Sequence, residues 1–239
     1  MEKLNTAVII AGGEGSRLKP LTDDRPKALI EINGKPLLYW IIQWLKSYDI
    51  KHLVIGVAYK KERIYEFMKQ NDNFGLKVDF SEHTVEGGTA QGFKLAIKRF
   101  IKDENFLAMN GDELTNMDIY KIWTKHNEKK PLVTMAVAPF HCRFSVVEID
   151  DGKISGFRYG HKLPNVPVSM GVYVFNIKVC DVIPEKGSIE DIVFTKLAKD
   201  GKMVPYTLSG NEDWISVNTI KDISDAEERI KKWFSKHFA

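Results

Sequence analysis

The stretch Thr6-Ala7-Val8-Ile9-Ile10-Ala11-Gly12-Gly13-Glu14-Gly15-Ser16-Arg17-Leu18, with Arg25-Pro26-Lys27 close behind, decides the reading of this chain. An unbroken apolar run from Ala7 to Ala11 suits a strand covered on both faces, as strands inside parallel sheets are. The run then breaks into glycines. These let the backbone approach a ligand and take positive φ, so that successive N–H groups can face one anion. Arg17 and Lys27 add whole charges to those dipoles. A cation-studded glycine loop at the end of a buried strand is a place to hold phosphates, and the segment reads as a nucleotide site.

Spacing removes two other phosphate loops. A Walker A loop needs G-x-x-x-x-G-K-[ST], and no Gly-Lys stands at that distance from Gly12 or Gly13. The dinucleotide pattern G-x-G-x-x-G fails too, because Gly13-Glu14-Gly15 runs on into Ser16, Arg17 and Leu18.

Outward from the loop, short apolar runs alternate with helical periods. Strands are predicted over 6–11, 52–58, 76–80 and 105–109, and helices over 36–48, 60–69 and 89–101. This alternation predicts a doubly wound, mostly parallel α/β sheet of Rossmann-like type. Trp40 and Trp44 on the first helix read as packing or interface residues. Past residue 131 the texture changes to strand-like runs at 132–138, 146–149 and 154–157, with Asp151-Gly152 marking a hairpin turn. A strand over 171–175, a helix over 188–199 and a terminal helix from about 219 complete the chain. Neither repeats nor linkers appear. One domain is expected over 1–239, with a nucleotide-binding half (1–130), a second half (131–218) carrying a small antiparallel β insertion, and a C-terminal helix (219–239).

Composition fits an enzyme of small molecules. The chain has 239 residues and a formal net charge of +3, within the size one core can reach. No basic tract with interleaved aromatics calls for nucleic acid. Cys142 and Cys180 are too few and too distant for a disulfide framework or a CxxC metal site, the six histidines form no ligand pattern, and His126, His141 and His237 read as surface or packing residues. The first strand starts within a few residues of Met1, and no apolar stretch is long enough to span a bilayer, so a cytoplasmic protein without membrane attachment is expected. The apolar residues of the last helix, Ile220, Ile223, Ile230, Trp233 and Phe234, suit the core or a partner subunit, which leaves a homo-oligomer open.

The ordered series Gly12-Gly13-x-Gly15-Ser16-Arg17-Leu18-x-Pro20-Leu21-Thr22, Pro26-Lys27-x-Leu29 and Gly34-Lys35-Pro36-Leu37 resembles the signature of the sugar-phosphate nucleotidylyltransferases, the NDP-sugar pyrophosphorylases. The resemblance implies the nucleotide-diphospho-sugar transferase type of sheet and a nucleotide site built from Ala11, Gly12, Gly13, Gly15, Ser16, Arg17 and Lys27. Asn110-Gly111-Asp112 after the run Phe106–Met109 resembles the family's "GD", which makes Asp112 the implied ligand of Mg²⁺; the plain alternative is that Asp112 and Glu113 are turn and cap residues before a helix. Gly88-Thr89-Ala90 resembles the segment that lies against the nucleobase, unless Thr89 simply caps its helix. Glu82 or His83 could add a base contact.

On the acceptor side, Phe144-Ser145-Val146-Val147-Glu148 resembles "YGVVE", with Ser145 in place of the glycine that contacts the sugar. Lys162 keeps the phosphate-binding cation of an otherwise altered "EKP", and Gly171 falls in the "N-x-G-x-Y-x-F" strand. Two departures stand out. The acidic residue before Lys162 is missing, and Trp214-Ile215-Ser216-Val217-Asn218-Thr219 has Ser216 where "W-x-D-x-G-T" supplies a second carboxylate; Glu212 or Asp213 could lean in instead. The implied reaction joins a nucleoside triphosphate to a sugar 1-phosphate with release of pyrophosphate, using Arg17, Lys27 and Asp112. The altered acceptor motif leaves open a non-sugar phosphate acceptor, such as one served by a CTP-dependent cytidylyltransferase. Ser216 leaves open a regulatory homologue without turnover.

Overall fold

In β1 (Thr6–Ile10) every residue is buried, and side chains alternate between two cores. Ala7 and Ile9 point into one, Val8 and Ile10 into the other. The computed structural model describes residues 4–142, 144–159 and 162–235, with the side chains of Lys162 and Pro164 outside that description. The elements that follow in chain order are β2 (Glu31–Ile32), β3 (Lys35–Pro36), α1 (Leu37–Ser47), β4 (His52–Val57), α2 (Lys61–Gln70), β5 (Lys77–Glu82), α3 (Gly88–Phe100), β6 (Asn105–Asn110), β7 (Glu113–Thr115) and α4 (Ile119–Lys129). The second half adds β8 (Val133–His141), β9 (Val146–Asp150), β10 (Lys153–Arg158), β11 (Lys162–Asn176), α5 (Thr195–Lys199), β12 (Met203–Thr207), β13 (Trp214–Ser216) and α6 (Ile220–Trp233).

Seven strands form one sheet in the order β12-β8-β11-β6-β1-β4-β5. The pairs β6–β1, β1–β4, β4–β5 and β12–β8 are parallel, and β11 alone runs antiparallel to both its neighbours. The expected α/β sheet is therefore present, with β8, β11 and β12 of the second half continuing the sheet of the first. The helices divide between its faces: α1, α4 and α6 contribute to the core that holds Ile9, while α3 and residues 189–197 contribute to the core that holds Val8. Trp40 and Trp44 are packing residues, their indole N–H groups donating to the carbonyls of Ile32 (2.8 Å) and Met117 (3.0 Å).

Differences from the sequence-based expectations have local causes. The predicted strand over 171–175 is the last third of the fifteen-residue β11, whose beginning was hidden by prolines and polar residues. Residues 188–199 do not form one regular helix: a π-helical turn over Glu190–Phe194 leads into α5. The strands β7, β12 and β13 are too short, or too mixed in polarity, for alternation to reveal them. At the Asp151-Gly152 turn both residues have positive φ, 47° and 74°, as a tight two-residue hairpin requires. Against the core, α6 buries Ala226 and Ile230, with Trp233 and Phe234 packed beside them.

His126 is a packing residue of α4. It is 1 % exposed, with Nδ1 2.9 Å from Thr134 Oγ1 and Nε2 3.1 Å from Asn105 Oδ1. Burial pushes its pKa down to about 4, so the folded state holds it neutral while the unfolded chain takes up a proton near pH 6.5. This contribution to stability is present above pH 6.5 and is lost as pH falls toward 4, by up to about 3 kcal/mol. Urea unfolding at stepped pH should show that loss, and His126→Gln should flatten it.

Among the described residues no helix is long and apolar enough to cross a membrane.

Candidate active site

Close approach of two strand ends builds the site. Gly111 N–H donates to the carbonyl of Ile10 at 2.8 Å, and a Cβ on Gly111 would lie 2.8 Å from that same oxygen. Only glycine lets β6 end directly on the end of β1, and this delivers Asp112 beside the Gly12–Arg17 loop. In the loop Ala11 is held by its N–H to the carbonyl of Gly56 (2.8 Å), and Gly12 accepts from Tyr59 N–H (3.2 Å). Exposed Gly13 faces open space. Gly15 turns with φ 68° and its carbonyl accepts from Thr22 Oγ1 at 3.0 Å. Ser16 and Arg17 then begin a short 3₁₀ turn, which leaves both exposed at the rim.

Four side chains meet there. Lys27 Nζ forms an ion pair with Asp112 and donates to Asn218 Oδ1 at 2.9 Å. Arg17 Nη2 donates to the same oxygen, also at 2.9 Å. The Lys27 side chain is 12 % exposed and that of Asp112 25 %, so the pair is screened by water less than a surface pair would be. Segments far apart in sequence, the 17–27 stretch, Asp112 and Asn218, therefore meet at one rim, and Arg17, Lys27 and Asp112 of the sequence reading are brought together there.

Asn218 was not among the residues singled out from the sequence. Its amide joins the two cations on one side and donates to Ser216 Oγ (2.6 Å) on the other. Ser216 in turn donates to Glu113 Oε1 at 3.0 Å, and Trp214 Nε1 donates to Glu113 Oε2 at 2.7 Å. A capping box fixes the backbone, Asp222 Oδ2 accepting from the N–H groups of Asn218 (2.9 Å) and Thr219 (2.7 Å). The Thr219-x-x-Asp222 spacing was the available signal, since it sets the start of α6 and puts Asn218 just ahead of it.

Glu113 is buried, and desolvation together with the neighbouring Asp112 raises its pKa well above the usual carboxylate range. It is neither a turn nor a cap residue: it sits in β7, opposite Ser216 in β13, and the helix that follows is capped by Asp118. Gly171 of β11 supports it. With φ 66°, a Cβ at Gly171 would come within 2.8 Å of Glu113 Cγ, so the strand passes directly over the acidic turn.

Gly88 and Thr89 are held by residues 187–190. Gly88 (φ 64°) packs on Gly187, whose oxygen would be 2.5 Å from an added Cβ. Thr89 Oγ1 accepts from Ile189 N–H (2.9 Å) and donates to Glu190 Oε2 (3.2 Å), and the N-cap of α3 is Gly87. Glu82 turns toward Lys61 and Tyr65. The His83 ring instead lies under the loop, where a Cβ on Gly12 would stand 2.6 Å from Nε2. Burial lowers the His83 pKa, and Nδ1 has no hydrogen-bond partner among the described residues. Glu212 is bonded by Tyr206 and Lys121, and Asp213 pairs with Arg229, so neither joins the rim. Ser145 is exposed ahead of β9. The side chain of Lys162 lies outside the described residues. A cleft of about 700 Å³ runs from Arg17, Ser216 and Asn218 to Phe140, His141 and Tyr159 at the end of the second-half strands.

Among the described residues no group of three or more His, Cys, Asp or Glu is arranged to hold a metal. Among the described residues Asp112 is the carboxylate that meets the cationic rim, next to the amide oxygen of Asn218. That suits Mg²⁺, which needs only one or two carboxylates when phosphates and waters fill the rest of its shell.

A glycine-rich loop, two converging cations and a carboxylate at the carboxyl ends of a mostly parallel sheet suit an enzyme that transfers nucleotidyl groups. The chain belongs to the nucleotidyl transferase family, whose model matches residues 6–232. It is 28 % identical to the probable glucose-1-phosphate cytidylyltransferase of Bacillus subtilis, over 93 % of this chain and 94 % of that one. HddC from Yersinia pseudotuberculosis superposes with a TM-score of 0.76 at 25 % identity, covering 95 % of this chain and all of that one. The inositol-1-phosphate CTP transferase from T. maritima shares the fold, with a TM-score of 0.75 at 21 % identity over 97 % of both chains. Several longer curated relatives are spanned over only 56–62 % of their length.

Proposed function

We propose that this enzyme condenses a nucleoside triphosphate with a sugar 1-phosphate, giving an NDP-sugar and pyrophosphate, at the rim formed by Arg17, Lys27, Asp112 and Asn218. The observation that carries the reading is the meeting of Lys27 with both Asp112 and Asn218. An oxygen of the acceptor phosphate attacks the α-phosphorus in line, the bond from that phosphorus to the bridging oxygen of the β-phosphate breaks, and pyrophosphate leaves. A phosphate monoester has a second pKa of about 6, so the nucleophile arrives deprotonated and no protein base is needed. Catalysis then rests on position and on neutralised charge. Lys27 serves the α-phosphate and the incoming oxygen, and Arg17 the leaving pyrophosphate. The N–H groups of Gly12 to Ser16 cradle the triphosphate, with Ala11 as the floor. Mg²⁺ held by Asp112 would draw off charge from the phosphate oxygens.

His83 is the base-side residue of this reading, its ring between Gly12 of the loop and Gly92 of α3, while the Thr89 hydroxyl is spent on residues 189 and 190. Ser145, Lys162 and Gly171 mark the acceptor side, and the cleft that opens from Arg17 is the space for the sugar. The two free thiols suit a reducing cytoplasm. A second acceptor class, a non-sugar phosphate, is favoured by the altered "EKP" segment. Pyrophosphate release from each common nucleoside triphosphate against hexose, heptose, inositol and choline phosphates tests all of this. Turnover with a sugar 1-phosphate supports the first reading; turnover only with inositol or choline phosphate supports the second; nucleotide binding without turnover sinks both.

Asn218 has a positioning role here. Its Ala variant should lose about tenfold in kcat/KM, the size of one hydrogen bond to a charged group, with KM for the triphosphate rising more than kcat falls. Steady-state kinetics at constant ionic strength checks the split.

A further inference from the structure

The β9–β10 hairpin is amphipathic in a direction the rest of the fold does not use. Its cross-strand pairs are Ile149 with Ile154 and Val147 with Phe157, so these four side chains share one face. They are 72 %, 62 %, 42 % and 68 % exposed respectively, and Phe144 just ahead of them is 79 % exposed. The opposite face carries the charges, with Arg158 Nε 2.6 Å from Glu148 Oε1. Among the described residues the hairpin is a sheet of two strands only, and a lone pair of strands is marginal in water unless one face is covered.

We infer that this apolar face is the contact between two copies of the chain, hairpin packed against hairpin about a two-fold axis. Exposed side chains of these sizes present about 500 Å² of apolar surface. That is most of the roughly 800 Å² that each partner gives to a specific interface. A two-fold contact needs the same patch on both partners, and an uncharged face meets that condition without change. A membrane surface fits less well: within the hairpin itself Glu148, Asp150 and Asp151 outweigh Lys153 and Arg158, so the two strands carry a net negative charge that anionic lipid does not attract. The hairpin springs from Ser145 and returns through Tyr159, which lines the cleft beside Arg17. Pairing two hairpins therefore fixes the wall of the acceptor cleft, a consequence that rests on the proposed reaction.

Light scattering and sedimentation of the full chain at micromolar concentration should give a two-chain mass. Ile149→Glu with Phe157→Glu should halve it, and the milder Ile149→Thr with Phe157→Thr should raise the dissociation constant at least tenfold, with circular dichroism confirming the fold of each. Ile220→Glu, equally exposed but on α6, should leave the mass unchanged. A one-chain wild type overturns the inference, as does a charged hairpin variant that folds and keeps the two-chain mass. Flotation of one-chain protein with phosphatidylcholine or phosphatidylserine vesicles also overturns it. In the dissociated variants KM for the acceptor phosphate should rise severalfold with KM for the triphosphate unchanged. Mass is read without turnover, so the interface and the reaction fail separately.

Discussion

Lys27→Ala should lower turnover at least a hundredfold while the protein stays folded. Lys27 is the hub of the rim: one ammonium group meets Asp112 and Asn218, and its backbone N–H is 3.5 Å from the carbonyl of Gly13 in the phosphate loop. That position suits the α-phosphate, where charge crowds as the new bond forms. A preorganised charge at such a point is worth on the order of 3 kcal/mol in the transition state, or about a hundredfold or more in rate. The stability change should be smaller than the loss of rate, because the partner left behind, Asp112, is a quarter exposed and can be hydrated. Single-turnover pyrophosphate release gives the rate and thermal melting gives the fold. A rate within a few-fold of wild type would remove Lys27 from the chemistry.

Asp112→Ala should cost at least as much, with a different fingerprint. Among the described residues Asp112 is the acid whose carboxylate meets a cation at the rim, since Glu113 is held by Trp214 and Ser216 and is buried. Removing it takes away the carboxylate proposed to hold Mg²⁺ and leaves Lys27 without the partner of its ion pair. The expected loss is again a hundredfold or more, on the order of 3 kcal/mol, and added Mg²⁺ should recover part of it by mass action. Asp112→Asn, which keeps the shape without the charge, should behave like the alanine variant. Direct titration of Mg²⁺ in the presence of nucleotide, followed by calorimetry, separates lost ion binding from lost rate. Unchanged ion affinity in the Asn variant would reassign the metal site.

Much of this was legible before any coordinates, because glycine chemistry and strand burial write themselves into short, local patterns. The run Ala7–Ala11, the loop with Arg17 and Lys27, and Asn110-Gly111-Asp112 each carry their meaning within a few residues, and the fold brings them together. Asn218 and Glu113 were not legible in that way. Their roles exist only through a chain of side chains, Arg17 and Lys27 to Asn218 to Ser216 to Glu113, and a network across β7 and β13 leaves no periodic trace in either segment. The same holds for Gly88 and Thr89. Their small sizes fit a base-binding loop and a tight backbone crossing equally well, and only the contacts with Gly187 and Ile189 reveal the crossing.

Fifteen residues long, β11 pairs among the described residues with β6 through Val172 to Asn176, while its first part pairs with β8, up to His141. The strand thus behaves as a cantilever, clamped in the sheet at one end and carrying the outer wall of the cleft at the other. Sequence drift in the overhang leaves the clamped end, with Gly171 at its margin, in register over Glu113 and the phosphate rim. On the proposed function, a chimera swapped over residues 139–169 should change the acceptor while leaving Arg17, Lys27 and Asp112 in place.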